Sequence, residues 1–293
     1  MKSGRVPWRP KARVAMPYDR PGTLDDALAL LARGPRTLLA GGTDLYPATA
    51  AQTLDGAILD LAGLGELGGI ARTAAGLRIG AGATWAEVRE AALPPACDAL
   101  RAAAGAVGGR QIQNAGTVGG NLCNASPAAD GVPPLLALDA GVELASPAGR
   151  RRLPLAGFLL GPRRTDRREG EILVAIHVPA KALAGRSAFL KLGARRHLVI
   201  SIAMVAVRLV VADGRVAGAA LAVGACGPVA VRLPALEARL CGRAADAGLA
   251  GAIDDAGVAA GLAPIDDVRA DARTRAGAAA ELLRRAVAGL VAA

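Results

Sequence analysis

Gln111-Ile112-Gln113-Asn114-Ala115-Gly116-Thr117-Val118-Gly119-Gly120-Asn121-Leu122-Cys123-Asn124-Ala125-Ser126-Pro127-Ala128-Ala129-Asp130, running on to the apolar Leu135–Leu138 and Asp139, is the stretch on which the reading of this chain turns. Glycines, carboxamides, hydroxyls and the carboxylate of Asp130 crowd into it, and it reads as a loop whose backbone approaches something closely. A side chain at Gly119 would then fall in the space of the ligand, and Leu135–Leu138 would anchor the loop in the core.

A second stretch answers it upstream. Thr37-Leu38-Leu39-Ala40 reads as a short apolar strand that ends in Gly41-Gly42-Thr43-Asp44-Leu45. A strand running into a double glycine, a hydroxyl and a carboxylate can turn its amides toward an anion; the competing reading is a tight turn before the next helix. Two such cradles, Ala40–Leu45 and Thr117–Asn121, suit a diphosphate, because backbone amides bind it without adding charge. Ser126 and Asp130 are then placed to meet ribose or other hydroxyls. Read from the residues alone, the chain binds a nucleotide-type cofactor. The dinucleotide fingerprint fails at its own spacing: after Gly80 and Gly82 the third glycine position holds Trp85.

The rest of the chain reads as scaffold. At 293 residues and 53% apolar it can bury a sizeable core, with two domains expected. The net charge of +10 invites a nucleic-acid reading, but aromatics make up only 2%, leaving little on which to stack bases. An interface with acidic partner subunits suits the charge better. Cys97, Cys123, Cys226 and Cys241 form no Cys-x-x-Cys pair, which argues against a zinc or iron–sulfur site within the chain. They also give no disulfide framework, as expected of a reducing compartment. Met1–Tyr18 lacks the apolar core of a signal peptide. The apolar run Ile200–Ala212 is broken by Arg208 and too short to span a bilayer, so the protein is expected to be soluble and cytoplasmic.

Local signals place the elements. Thr23 is a plausible N-cap for a helix over Leu24–Arg33, and Thr84 for one over Trp85–Ala92. Pro94–Val107 and Ala276–Leu290 have helical spacing. Ala57–Leu61, Gly76–Gly80, Ile172–Val178, Ala188–Leu192, Ile200–Val211 and Val216–Val223 read as strands. Asp213-Gly214 is a hairpin turn, and Ser146–Gly149 another. Gly161–Glu169 reads as a charged, exposed loop. Strands followed by helices argue for α+β, with a boundary near Gly185. Hydrolytic chemistry has little to stand on: His177 and His197 have no metal spacing or partner motif, and no nucleophile elbow or Walker loop appears.

The paired segments Ala40–Leu45 and Gly116–Asn121, followed by Ala125–Asp130, resemble the signatures of one family, the FAD-binding (medium) subunits of the molybdenum hydroxylases, which include xanthine dehydrogenase and carbon monoxide dehydrogenase. Gly161–Thr165, Gly170–Leu173, Lys191-Leu192-Gly193, Arg195-Arg196 and Pro264–Arg269 extend the resemblance to the C-terminus. It implies a PCMH-type (vanillyl-alcohol-oxidase-like) FAD-binding domain over residues 1–185, with subdomains at about 14–67 and 68–185. An α+β C-terminal domain with a small antiparallel sheet would fill residues 186–293.

The resemblance also implies the site. Leu39, Ala40, Gly41, Gly42, Thr43, Asp44 and Leu45 face Thr117, Val118, Gly119, Gly120 and Asn121 across the FAD pyrophosphate. Asp130, with Ser126 beside it, meets the adenosine–ribityl portion. Leu173 and Lys191 line the cofactor, and Val107 lies near the flavin ring. No catalytic or metal-ligating residue is expected on this chain. Molybdopterin belongs to a large partner subunit and two [2Fe-2S] clusters to a small one, in a dimer of heterotrimers. The cysteine-rich insertion that carries an extra [4Fe-4S] cluster in some relatives is absent. Gln113 stands where relatives often carry Arg, and His197–Ser201 replaces a stretch that commonly contains Asp. The alternatives are a stand-alone flavin oxidoreductase with its own substrate site and a non-enzymatic basic binding module.

Overall fold

A computed structural model describes residues 17–50, 53–195 and 198–292. His197 and Arg196, and most of the basic N-terminal segment, lie outside the described residues. The described residues begin with a small parallel sheet, in which β1 (Tyr18–Asp19) and β2 (Thr37–Leu39) flank β3 (Ile58–Asp60). Between β1 and β2 runs helix α1 (Leu24–Ala32), capped by Thr23 accepting from the Asp26 amide as its sequence suggested. Leaving β2, the chain passes the double glycine into one turn of helix, α2 (Leu45–Ala48).

A five-stranded antiparallel sheet follows, ordered β4-β5-β10-β6-β7. Its strands are β4 (Ile70–Thr73), β5 (Gly76–Gly80), β6 (Gly141–Ser146), β7 (Gly149–Pro154) and the central β10 (Ile172–Pro179). Leu24, Leu28, Leu59, Leu64 and Leu67 pack on Ala145, Ile172 and Val174, so the parallel unit sits on one face of this sheet. Helices α3 (Trp85–Glu90), α4 (Asp98–Ala106), α5 (Arg110–Ala115), α6 (Val118–Asn124), α7 (Val132–Ala137) and α8 (Leu155–Phe158), together with the hairpin of β8 (Leu159–Gly161) and β9 (Arg164–Thr165), fill the connections.

The expected loop of Gln111–Asp139 is therefore mostly helix. Three helices of 6, 7 and 6 residues occupy it, each too short to be stable without tertiary packing. Packing supplies that: Val118, Leu122, Leu135 and Leu138 are buried in the largest core. Leu135–Leu138 anchors the segment as expected.

The last sheet, β11 (Arg186–Leu192), β12 (Ala203–Ala212), β13 (Arg215–Gly224) and β14 (Val231–Arg232), is antiparallel in chain order. Along β12 the side chains alternate between two cores. Ala203, Val205, Val207 and Leu209 share a core with α9 (Pro234–Leu240), α10 (Asp255–Ala259) and α11 (Ala272–Val291), whereas Met204 and Ala206 join the core of the five-stranded unit. Burial on both faces explains why the strand reads as one apolar run. Arg208, on the second face, is buried and donates to Ala137 O at 2.9 Å. Asp213-Gly214 closes the β12–β13 hairpin with positive φ at both residues (51° and 69°), the geometry favoured by two-residue hairpins. The mixed helix and antiparallel-sheet content is the expected α+β architecture.

Candidate cofactor site

A cleft of about 1410 Å³ opens where the parallel unit, the α5–α6 segment and the β11–β12 connection meet. It exceeds the roughly 300–1,000 Å³ usual for drug-sized ligands. The two glycine segments form adjacent parts of its wall, and they touch. A Cβ on Gly41 would lie 1.7 Å from Ala115 O and 3.1 Å from the Cα of Gly116. Glycine at 41 is what lets the two backbones meet.

The first segment leaves its donors open. The amides of Gly41, Gly42, Thr43 and Asp44 have no hydrogen-bond acceptor on the protein among the described residues, and Asp44 makes no capping bond to α2. Gly42 carries a φ of +69° and lies against the Tyr46 ring. Gly41–Thr43 are half-buried and Asp44 is exposed, so solvent can reach these donors. A run of amides without a protein acceptor beside a cleft is a place where an acceptor-rich ligand can take the solvent's part.

The second segment is saturated. Val118 N donates to Ala83 O (2.9 Å), Gly119 N to Ala81 O (2.8 Å) and Asn121 N to Thr117 O (3.0 Å). Gly120 N donates to the capping Thr117 hydroxyl at 3.0 Å. On this segment Thr117 alone keeps a free amide. Gly119 borders the cleft with its backbone, but a Cβ there would lie 2.6 Å from the Ala81 Cβ, so a side chain at this position would point at the end of β5. The expected clash with a ligand at Gly119 is thus replaced by a clash with the protein. The Gly80–Gly82 turn, weighed in the sequence only as a failed fingerprint, is the seat on which α6 rests.

What α6 offers the cleft is side chains. Asn121 Oδ1 is buried with no hydrogen-bond partner among the described residues, and Asn121, Cys123, Asn124 and Ser126 line the wall. Burial pushes the Cys123 thiol up to about 11, so it stays neutral. The helix ends at Ala125 in the left-handed region (φ 45°). Arg163, which borders the cleft, caps its last turn by donating to Asn124 O at 3.3 Å and to the Asn124 side chain. Arg163, Thr165 and Arg167 lie in a segment that the sequence suggested was merely charged loop.

Asp130 borders the cleft and is buried. Its Oδ2 accepts from Lys191 Nζ at 2.7 Å and its Oδ1 from Ser201 Oγ at 2.6 Å. Burial raises its carboxyl above the usual range, opposed by Lys191 and Ser201. Lys191 also donates to Val199 O at 3.3 Å. It braces Asp130 from behind and does not itself line the cleft; Leu39 and Val118 are likewise buried behind the wall. The remaining sequence-predicted site residues, Ala40–Leu45, Val107, Thr117, Gly119–Asn121, Ser126, Asp130 and Leu173, all border it. A shift of register in β10 between Leu173 and Ala175 falls where Leu173 meets the cleft, as bulges beside functional sites often do.

Gln113 is buried; its Nε2 donates to Gly105 O (3.1 Å) and Val107 O (3.2 Å), and its Oε1 accepts from Arg89 (3.3 Å). It shapes the Val107–Gly109 turn from outside the cleft. His177 lies away from it, 2.7 Å from Glu143 Oε2. Burial pushes the Glu143 carboxyl up, but hydrogen bonds from Arg150, Arg152 and His177 outweigh it and hold it at about 2. Among the described residues no group of His, Cys, Asp and Glu is arranged to hold a metal ion. No helix among them is long and apolar enough to cross a membrane.

Comparison with known proteins agrees with this geometry. Residues 12–181 match the model of the FAD binding domain in molybdopterin dehydrogenase, and residues 188–290 that of the CO dehydrogenase flavoprotein C-terminal domain. The xanthine dehydrogenase FAD-binding subunit of Escherichia coli O157:H7 is 38% identical over 221 residues, 73% of this chain and 75% of that one. The carbon monoxide dehydrogenase medium chain of Hydrogenophaga pseudoflava is 30% identical over 274 residues, 92% and 95% of the two chains. Among solved structures, reconstituted CO dehydrogenase from Oligotropha carboxidovorans superposes with a TM-score of 0.87 at 28% identity, covering 95% of this chain and 98% of that one. With its two halves matched in order, and with relatives that are named as subunits or chains of larger dehydrogenases, this chain belongs to the FAD-binding subunits of the molybdenum hydroxylase family and is the flavoprotein component of an oxidoreductase.

Proposed function

We propose that the cleft holds FAD with its pyrophosphate on the open amides of Gly41, Gly42, Thr43 and Asp44, completed by the free amide of Thr117. The observation that carries this reading is the pairing of an unsatisfied donor run with an orphaned acceptor, Asn121 Oδ1, in one cleft. Phosphates accept only, so they suit the first; a ribityl or ribose hydroxyl donates, and suits the second and Asp130. Ser126 lies beside them. Val107 and Leu173 give an apolar surface for the ring system. Lys191, Leu39 and Val118 act from behind the wall.

When bound, the flavin supplies the redox chemistry; the chain binds it and orients it. In this reading the subunit passes electrons from [2Fe-2S] clusters on a small partner subunit to an external acceptor. Substrate is oxidised at a molybdopterin centre on a large partner subunit, and the assembly is a dimer of heterotrimers in the cytoplasm. Residues 1–185 form the FAD-binding part, divided near residue 67, and residues 186–293 the C-terminal part. In support, the small parallel sheet ends at Asp60, and the last sheet begins at Arg186.

The test is direct. Purified chain, or the complex containing it, should be yellow, and the flavin released by denaturation should be FAD and not FMN. A colourless chain that takes up neither on reconstitution overturns the reading.

A further inference from the structure

The carboxylate that borders the cleft is held by side chains from the other half of the molecule. Asp130 precedes α7 in the part matched by the FAD-binding family model, whereas Lys191 and Ser201 belong to the part matched by the C-terminal model. Ser201 is 1% exposed and Asp130 is 8% exposed, so water does not replace these bonds easily. Each carboxylate oxygen receives one donor, Ser201 Oγ at 2.6 Å and Lys191 Nζ at 2.7 Å. A carboxylate held at both oxygens cannot rotate, and each oxygen keeps a lone pair to offer.

The same two residues bound a wall segment. Lys191 holds the Val199 carbonyl, and Leu198, Val199 and Ile200 line the cleft directly before Ser201. Arg269, itself paired with Asp267, donates to Ser201 O at 3.0 Å and fixes that backbone from the far side. Among the described residues Lys191 is the charged side chain in contact with Asp130, and Arg269 reaches it through the Ser201 backbone.

Resting on the reading that the cleft takes FAD, we propose that Ser201 is a positioning residue for the cofactor: its hydroxyl orients the Asp130 carboxylate toward a sugar hydroxyl and makes the C-terminal half part of the cofactor site. Loss of the hydroxyl leaves Asp130 held at one oxygen only. It also removes one of the influences that oppose the burial-driven rise of the Asp130 pKa, so the carboxylate in the variant protonates, and loses an acceptor, at higher pH than in the wild type.

The experiment compares wild type, Ser201→Ala, Asp130→Asn and the double variant as full chains, titrated with FAD by flavin fluorescence across pH, with melting of each apo-chain alongside. Ser201→Ala is expected to weaken FAD about tenfold, the scale of a hydrogen bond to a buried charge. The pH at which FAD is released should move upward, while the apo-chain, which loses the same buried bond, should melt somewhat earlier yet stay folded throughout the titration. In the Asp130→Asn background the same change should add nothing, as expected of residues that act through one another. Unchanged affinity and pH profile overturn the proposal. So does an affinity loss confined to conditions in which the apo-chain unfolds, or one that persists in full in the Asn background. A wild-type chain that takes no FAD overturns the cofactor reading, and this one with it.

Discussion

The two glycine segments at the cleft look alike in sequence and differ in what they leave unpaired. Gly41–Asp44 presents four backbone amides with no protein acceptor among the described residues, while Val118–Asn121 spends all four of its amides on Ala81, Ala83 and Thr117. Glycine serves a different end in each. In the first it permits positive φ at Gly42 and contact with Ala115 at Gly41; in the second it lets α6 lie flat on the Ala81 turn. One segment is a donor array, the other a wall that offers side chains.

The difference is broken most sharply at Gly41. In Gly41→Ala the new Cβ overlaps Ala115 O, and the segment must swing away. Few bonds resist, because the amides of residues 41–44 hold nothing on the protein. Loss of FAD uptake is therefore expected, with apo-chain melting little changed. Retained stoichiometric flavin would show that the donor array lies elsewhere.

Gly119→Val attacks the other segment, and the order of losses should reverse. Its side chain meets Ala81 within 2.6 Å, and relief requires breaking the Val118 and Gly119 bonds to the turn after β5. Overpacking of this kind costs about 1–3 kcal/mol, so apo-chain stability should fall before any ligand is added. A Gly119→Val chain that melts like the wild type yet fails to bind FAD would restore the simpler view, in which residue 119 faces the phosphates. Thr117→Ala is milder: it removes the α6 cap from Gly120 N, worth about 1 kcal/mol, while the free Thr117 amide remains. Denaturant unfolding should register the cap, and FAD affinity should change only a few-fold.

How much of this was legible depends on where each constraint originates. The helices after Thr23 and Thr84 were legible because their caps are local; Thr84 even forms the reciprocal box with Glu87. The strand Ile70–Thr73 was not, since an edge strand with one large apolar side chain gives no alternation. Helices α5–α7 read as loop in the sequence because 6 or 7 residues barely complete two turns and show no usable period. At the site, residue type alone marked both glycine segments and Asp130. It did not reveal that the acceptors satisfying the second segment come from Ala81 and Ala83, or that Lys191 and Ser201 brace Asp130 from beyond residue 185. Contacts between segments distant in sequence decide those points, and no local pattern carries them.

The smallest expected effect on the fold is at Asn121, and it isolates what the wall contributes. Its Oδ1 is buried with no partner among the described residues, while its backbone amide is already bonded to Thr117 O. An unpaired buried acceptor costs about 1–3 kcal/mol, so Asn121→Leu, close in size and without the carbonyl, should leave the apo-chain as stable as the wild type or more so. The same change removes an acceptor from the cleft and should weaken FAD. Stability and affinity then move in opposite directions, which marks a group retained for its ligand. Thermal melting with and without FAD reads both at once: a higher apo-chain midpoint with a smaller rise on adding FAD is the expected result. A fall in the apo-chain midpoint would mean that Asn121 supports the fold, and would shrink the wall's part in binding to Ser126 and Asp130.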